Sequence, residues 1–121
     1  MDRSRTTGAA LEAHYRFLLW LVPALERFPR SQKFLLGDRI QGTALDVLES
    51  LIEATYARQR GGHLARANLG VEKLRFLLRL AQDLRHLDRR RYEHAARLDE
   101  TGRKIGAWSK AHRARERTGP V

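Results

Sequence analysis

HLARANLGVEKLRFLLRLAQDLRH, residues 63–86, is the stretch that decides the fold. Ala67, Val71, Leu74, Leu78 and Ala81 recur at alternating spacings of four and three, the pattern of a helix that buries one stripe. Leu77, Leu80 and Leu84 widen that stripe. Three more segments carry the same period, so the chain reads as all-α, an up-down-up-down four-helix bundle with short connections.

Working outward, the first helix is expected from about Ala10 to Phe28, with Leu11, His14, Leu18, Leu21, Leu25 and Phe28 on its seam. Pro23 removes a backbone bond within it and predicts a bend near Leu19. Phe17, Trp20 and Ala24 fall off that seam, and a second apolar face points to a subunit contact through Phe17 and Trp20. Ser31 is expected to cap a second helix over about Gln32 to Arg58, seamed by Ala44, Leu48 and Leu51 and flanked by Leu45, Ile52 and Tyr56. Gly61 or Gly62 offers a left-handed cap before the third helix. Asp88 caps a fourth, which opens on Arg89, Arg90 and Arg91 and packs through Ala95, Leu98, Gly102, Ile105 and Trp108. The domain spans residues 10–110, between a flexible tail at 1–9 and a basic, fraying one at 111–121.

The 121 residues allow one domain and include no cysteine, so packing alone must stabilise it. No apolar run is long enough to span a membrane, and the N-terminal residues lack the apolar core of an export signal, so a cytoplasmic protein is expected. The net charge is +10 and uneven: residues 1–60 hold nine Lys or Arg against seven Asp or Glu, residues 61–121 fifteen against seven. Twenty of the 24 basic residues are Arg, whose planar fork suits phosphate oxygens. A polyanionic partner accounts for that asymmetry better than solubility does.

Arg75 and Arg79 lie one turn apart, with Glu72, Gln82 and His86 continuing their face. Such a stripe could track phosphates, or it could be a solvated face with local pairs, Glu72 to Arg75 and Arg79 to Asp83. Arg30 and Lys33 sit where the second helix is expected to begin, near free backbone N–H groups. Arg97, Arg103, Lys104 and Lys110 add charge along the fourth helix. Phe76 and Trp108 are the aromatics nearest these charges, and packing is the simpler role for both. Gly102 and Gly106, four apart, would let another helix approach, and belong to structure or assembly.

Catalytic signatures are missing: no phosphate loop, GxSxG or HExxH, and no paired E-x-x-H elements for a di-metal bundle. No cofactor is expected. Arg58 with His63, Arg79 with His86 and Arg89 with His94 have the spacing of HEPN ribonucleases, a match that an Arg-rich chain produces by chance.

Three stretches, FPRSQKFLLGDRI at 28–40, EKLRFLLRLAQDLR at 72–85 and DETGRKIGAW at 99–108, resemble the accessory variability determinant (Avd) family of diversity-generating retroelements. The resemblance runs from about Tyr15 to Lys110, and Arg75 and Arg79 fall on the family's L-R-F-x-L-R element. It implies a homopentameric barrel of four-helix subunits with a basic surface. It also implies a non-catalytic accessory protein that binds the element's reverse transcriptase and RNA, or DNA, during the error-prone copying called mutagenic retrohoming. On this view Arg75, Arg79, Arg30, Lys33, Arg97, Arg103 and Lys104 contact nucleic acid or polymerase, while Phe17, Trp20, Gly102 and Gly106 serve the oligomer. The four-helix proteins of 23S ribosomal RNA intervening sequences are the alternative, with the HEPN ribonuclease behind it.

Overall fold

The computed structural model describes the backbone of residues 2–117 and the side chains of residues 8–117. Four long helical rods make the bundle: α1 (Asp2–Leu25), α3 (Asp38–Tyr56), α4 (Gly61–Asp83) and α6 (Leu98–Arg117). Two short helices, α2 (Arg30–Gln32) and α5 (Arg89–His94), sit in the connections. No strand occurs among the described residues. The principal contacts pair α1 with α3 and α6, and α4 with the same two, so each rod has two antiparallel neighbours.

The periodic residues form the core as expected. Leu18, Leu21, Leu25, Ala44, Leu51, Ala67, Val71, Leu74, Leu78, Ala81, Leu98, Ile105 and Trp108 are all buried. Each large side chain removed from water stabilises the bundle by about 1.5–3 kcal/mol. Phe17 corrects the reading of a second, outward face on α1: it is wholly buried. A helix wedged between two neighbours buries a wider arc than a single seam, so Ala13, Phe17 and Ala24 point inward too. The exposed apolar side chains of α1 are instead Tyr15, Leu19 and Val22.

Boundaries moved where the backbone departs from regular α geometry. α1 continues through Pro23 to Leu25, the proline forgoing the one bond that an N–H at 23 would make to the Leu19 carbonyl. Ser31 caps nothing: it lies inside α2, and a π-helical segment, Lys33–Gly37, links α2 to α3. Gly61 and Gly62 begin α4 rather than terminate α3, and no described glycine has positive φ.

The left-handed residue is Arg85, with φ of 66°. His86 N–H bonds the Ala81 carbonyl and Arg85 N–H that of Gln82, each at 2.8 Å, which closes α4 in a Schellman turn. A non-glycine residue there costs about 1–2 kcal/mol. Asp88 caps α5 as expected, accepting the Arg91 N–H at 2.8 Å. A 3₁₀ turn, Ala95–Arg97, divides the predicted fourth helix into α5 and α6. α6 continues past Lys110 to Arg117, and α1 begins at Asp2, so most of both expected tails is helical. Residues 1 and 118–121 of those tails lie outside the described residues.

Two polar side chains, His14 and Thr101, are fully buried among the described residues. His14 is fully buried and donates from Nε2 to the Ala44 carbonyl at 2.8 Å, and burial pushes its pKa below the ordinary histidine value. No described helix is long and apolar enough to cross a membrane.

Candidate nucleic-acid interface

Arg75 and Arg79 leave the same stretch of α4 and meet different surroundings. Arg75 reaches across to α6, where its Nη2 lies 3.2 Å from Asp99 Oδ1, while Nη1 lies 3.3 Å from Glu72 Oε1. Its side chain keeps 42% of its exposure, so the pairs are partly wet and hold it only modestly. Arg79 is exposed and has no ion pair among the described residues. The local Glu72 to Arg75 pair forms, and the Arg79 to Asp83 pair does not.

Gly102 explains how Arg75 gets to Asp99. A Cβ on Gly102 would stand 2.8 Å from Arg75 Nη2, so the guanidinium lies over the bare backbone of α6 one turn beyond its carboxylate partner. The close approach expected of Gly102 is therefore made by a side chain of its own subunit. Gly106 is exposed, with open space where its Cβ would be.

Lys33 lies 2.9 Å from Glu26 Oε2 and ties the π segment to the end of α1. Arg30 is exposed and unpaired among the described residues, but it opens a three-residue helix rather than a long one. The N–H groups of Gln32 and Lys33 are donated to the Pro29 carbonyl. Arg97, Arg103 and Lys104 are exposed, and none forms an ion pair among the described residues. They stand on the 3₁₀ turn and on α6.

Of the aromatics, Trp108 is buried, with the Arg60 guanidinium 6.0 Å from its ring centroid. Phe76 is 67% exposed and does not pack in its own core. It heads an apolar ridge on α4 with Leu80 and Leu84, and Leu69 lies one heptad before it. Leu45, Ile52 and Tyr56 make a second exposed strip on α3. The histidines of the HEPN-like spacings are otherwise engaged: His63 faces Glu53 and Arg66, His86 packs on Phe28 and His94 on Trp20.

Two features escaped the sequence reading. The Arg75 to Asp99 bridge joins residues on different helices, and only their Gly102 neighbour, one turn after Asp99, signalled that something must cross there. Gly70 is the other: a Cβ on it would stand 2.4 Å from Val47 Cγ2, so α3 and α4 approach closely at that point.

A family profile described as bAvd-like matches residues 10–112. No curated protein and no solved structure matches the chain. The profile takes in α3, α4, the π segment, most of α1 and α6, and the Arg75, Asp99 and Gly102 contact together. With most of its length under that one match, the chain belongs to the bAvd-like family, accessory proteins of diversity-generating retroelements.

Proposed function

We propose that this protein is a non-catalytic subunit that binds the reverse transcriptase and the RNA, or RNA/DNA hybrid, of a diversity-generating retroelement, and so supports mutagenic retrohoming. It works in the cytoplasm without a cofactor, and the polymerase supplies the chemistry. The observation that carries this reading is the set of exposed cations with no carboxylate partner among the described residues, above all Arg79, Arg97, Arg103 and Lys104. Such groups neutralise phosphates and release counterions, giving salt-sensitive affinity without base specificity. Arg30 adds to the set. Lys33 and Arg75 join only by loosening their bonds to Glu26 and Asp99.

The subunits form a homopentamer. Two different apolar strips on one chain, the α4 ridge at Phe76 and Leu80 and the α3 strip at Leu45, Ile52 and Tyr56, favour a head-to-tail contact, which closes into rings.

Changing Arg79 and Arg97 to Glu should weaken RNA binding at least about ten-fold and flatten its salt dependence by roughly two in log–log slope. Wild-type affinity with a wild-type slope rejects the assignment. Light scattering on the same samples should give five times the subunit mass, and a monomer mass would reject the ring.

A further inference from the structure

A cavity of about 360 Å³ opens between the end of α1 and α5, lined by Trp20, Pro23, Ala24, Arg27, Asp88, Arg90, Arg91 and His94. That volume lies at the lower end of the range of small-molecule sites, about 300–1,000 Å³. Its charge is one-sided. Asp88 is the only carboxylate in the lining, and it is occupied: Oδ1 accepts the Arg91 N–H at 2.8 Å and Oδ2 lies 3.9 Å from Arg91 Nε. Arg27 and Arg90 are exposed, and neither has an ion pair among the described residues. Three arginines, Arg27, Arg90 and Arg91, gather at one opening against a single engaged carboxylate, so an anion from outside is the natural complement.

The cavity also has an aromatic wall. Trp20 is partly buried against the core, with the Phe17 ring 5.9 Å away on one side and the His94 ring 6.2 Å away towards α5. Phe17 is itself immobilised in the core, so the indole is held in place before any ligand arrives. A fixed indole beside two free guanidinium groups has the features needed by a molecule with a flat π-system and a phosphate. A bare phosphate would make no use of the tryptophan, and an acidic peptide would make little.

We propose that this cavity is a nucleotide-binding site, in which a base stacks on Trp20 and its phosphate is held by Arg27 and Arg90. The proposal rests on the nucleic-acid reading above and deepens it, since the unit bound is one nucleotide of a strand or a free nucleotide of the same chemistry. In a strand, this would be the point where the protein grips an unpaired base, while the cations of α4 and α6 meet only phosphates. Stacking is tolerant of base identity, so the site orders the strand without reading it.

The test uses the full chain and its tryptophan emission. A short single-stranded oligoribonucleotide, adenosine 5′-monophosphate and inorganic phosphate are titrated separately. The oligonucleotide and the monophosphate quench Trp20, and inorganic phosphate does not. Tighter binding of the oligonucleotide assigns the site to a strand, and equal affinities assign it to a free nucleotide. Trp20→Phe preserves the packing and abolishes the quench. Arg27→Glu with Arg90→Glu, both at exposed positions, lowers affinity at least about ten-fold, as expected when two charge-assisted contacts are lost. Quenching that survives Trp20→Phe, quenching by phosphate alone, or unchanged affinity in the double charge variant overturns the site. If these variants bind both the monophosphate and RNA as the wild type does while the Arg79 and Arg97 variant loses RNA, the cavity assignment falls and the accessory function stands. If the wild type binds no RNA at all, both fall.

Discussion

Two glycines mark two kinds of helix contact in this bundle. At the α3–α4 crossing the space over Gly70 is filled by Val47, a buried, branched side chain with no freedom to move aside. At the α4–α6 crossing the space over Gly102 is filled by the guanidinium of Arg75, half-exposed and mounted on a flexible stem. The first contact is dry and set by shape. The second is wet and set by charge, with Asp99 and Glu72 as its anchors. A missing Cβ therefore means different things in the two places: at Gly70 it fixes how closely the helices pack, and at Gly102 it fixes where a cation points.

The largest effect should come from the dry contact. Gly70→Ala gains about 1 kcal/mol in helix propensity but drives a methyl into Val47, and overpacking of that kind costs about 1–3 kcal/mol. With the Cβ placed 2.4 Å from Val47 Cγ2 the high end applies, so a net loss of roughly 1–2 kcal/mol is expected. Thermal unfolding should fall by roughly 5–10 °C. Val47→Ala in the same chain makes room for the methyl and should recover part of the loss, so the two changes are non-additive. Strict additivity would mean that Gly70 does not set this crossing.

How much of this was legible in the sequence follows the same division. The three-and-four spacing names most of the inward side chains, because burial of a stripe depends on helical period and that period is local. On α3, however, the seam runs through Ile40, Val47 and Ala54 rather than the half-buried Leu48, and on α4 Leu80 and Leu84 face outward instead of widening the stripe. Phe17 was misread for a geometric reason: α1 has neighbours on two sides, and the width of a buried arc depends on how many rods surround it, which no single segment encodes. The helix starts at Ser31 and the continuous fourth helix failed where the backbone adopts π and 3₁₀ geometry, which stock capping rules do not foresee. Arg75 and Arg79 look alike in the sequence, as two arginines one turn apart. Only the arrival of Asp99 from another helix separates the tethered one from the free one.

His14 probes how completely the dry side rejects charge. Its Nε2 is bonded to the Ala44 carbonyl, one turn before Val47, and Nδ1 is buried without a partner among the described residues. Desolvation holds its pKa below 6.5, with the Ala44 carbonyl opposing that shift only in part. The folded state thus binds fewer protons than the unfolded chain as pH falls. The stability it contributes is complete above about pH 6.5, the unfolded value, and is lost as pH drops through the lowered folded value. Unfolding midpoints measured from neutral to mildly acidic pH should decline, and His14→Leu should flatten the part of that decline due to this residue. An undiminished decline in the variant would mean that charge is excluded elsewhere.

The smallest effect, and the sharpest test of the contrast, belongs to Gly102→Ala. Its methyl would crowd the tip of Arg75, which can swing away, and meet Val71 Cγ1 at an ordinary contact distance of 3.7 Å, so the strain that makes Gly70→Ala expensive does not arise. Helix propensity again gains about 1 kcal/mol, and the displaced bridge to Asp99 forfeits up to about 1 kcal/mol for a pair this exposed. The two nearly cancel, and stability should stay within about 0.5 kcal/mol of the wild type. What changes is the availability of the cation. Freed from Asp99, Arg75 resembles Arg79, and one added phosphate contact should steepen the salt dependence of RNA binding by about 0.9 in log–log slope. A large loss of stability would place Gly102 in the same class as Gly70. Unchanged stability with an unchanged slope would show that Arg75, tethered or free, faces no polyanion.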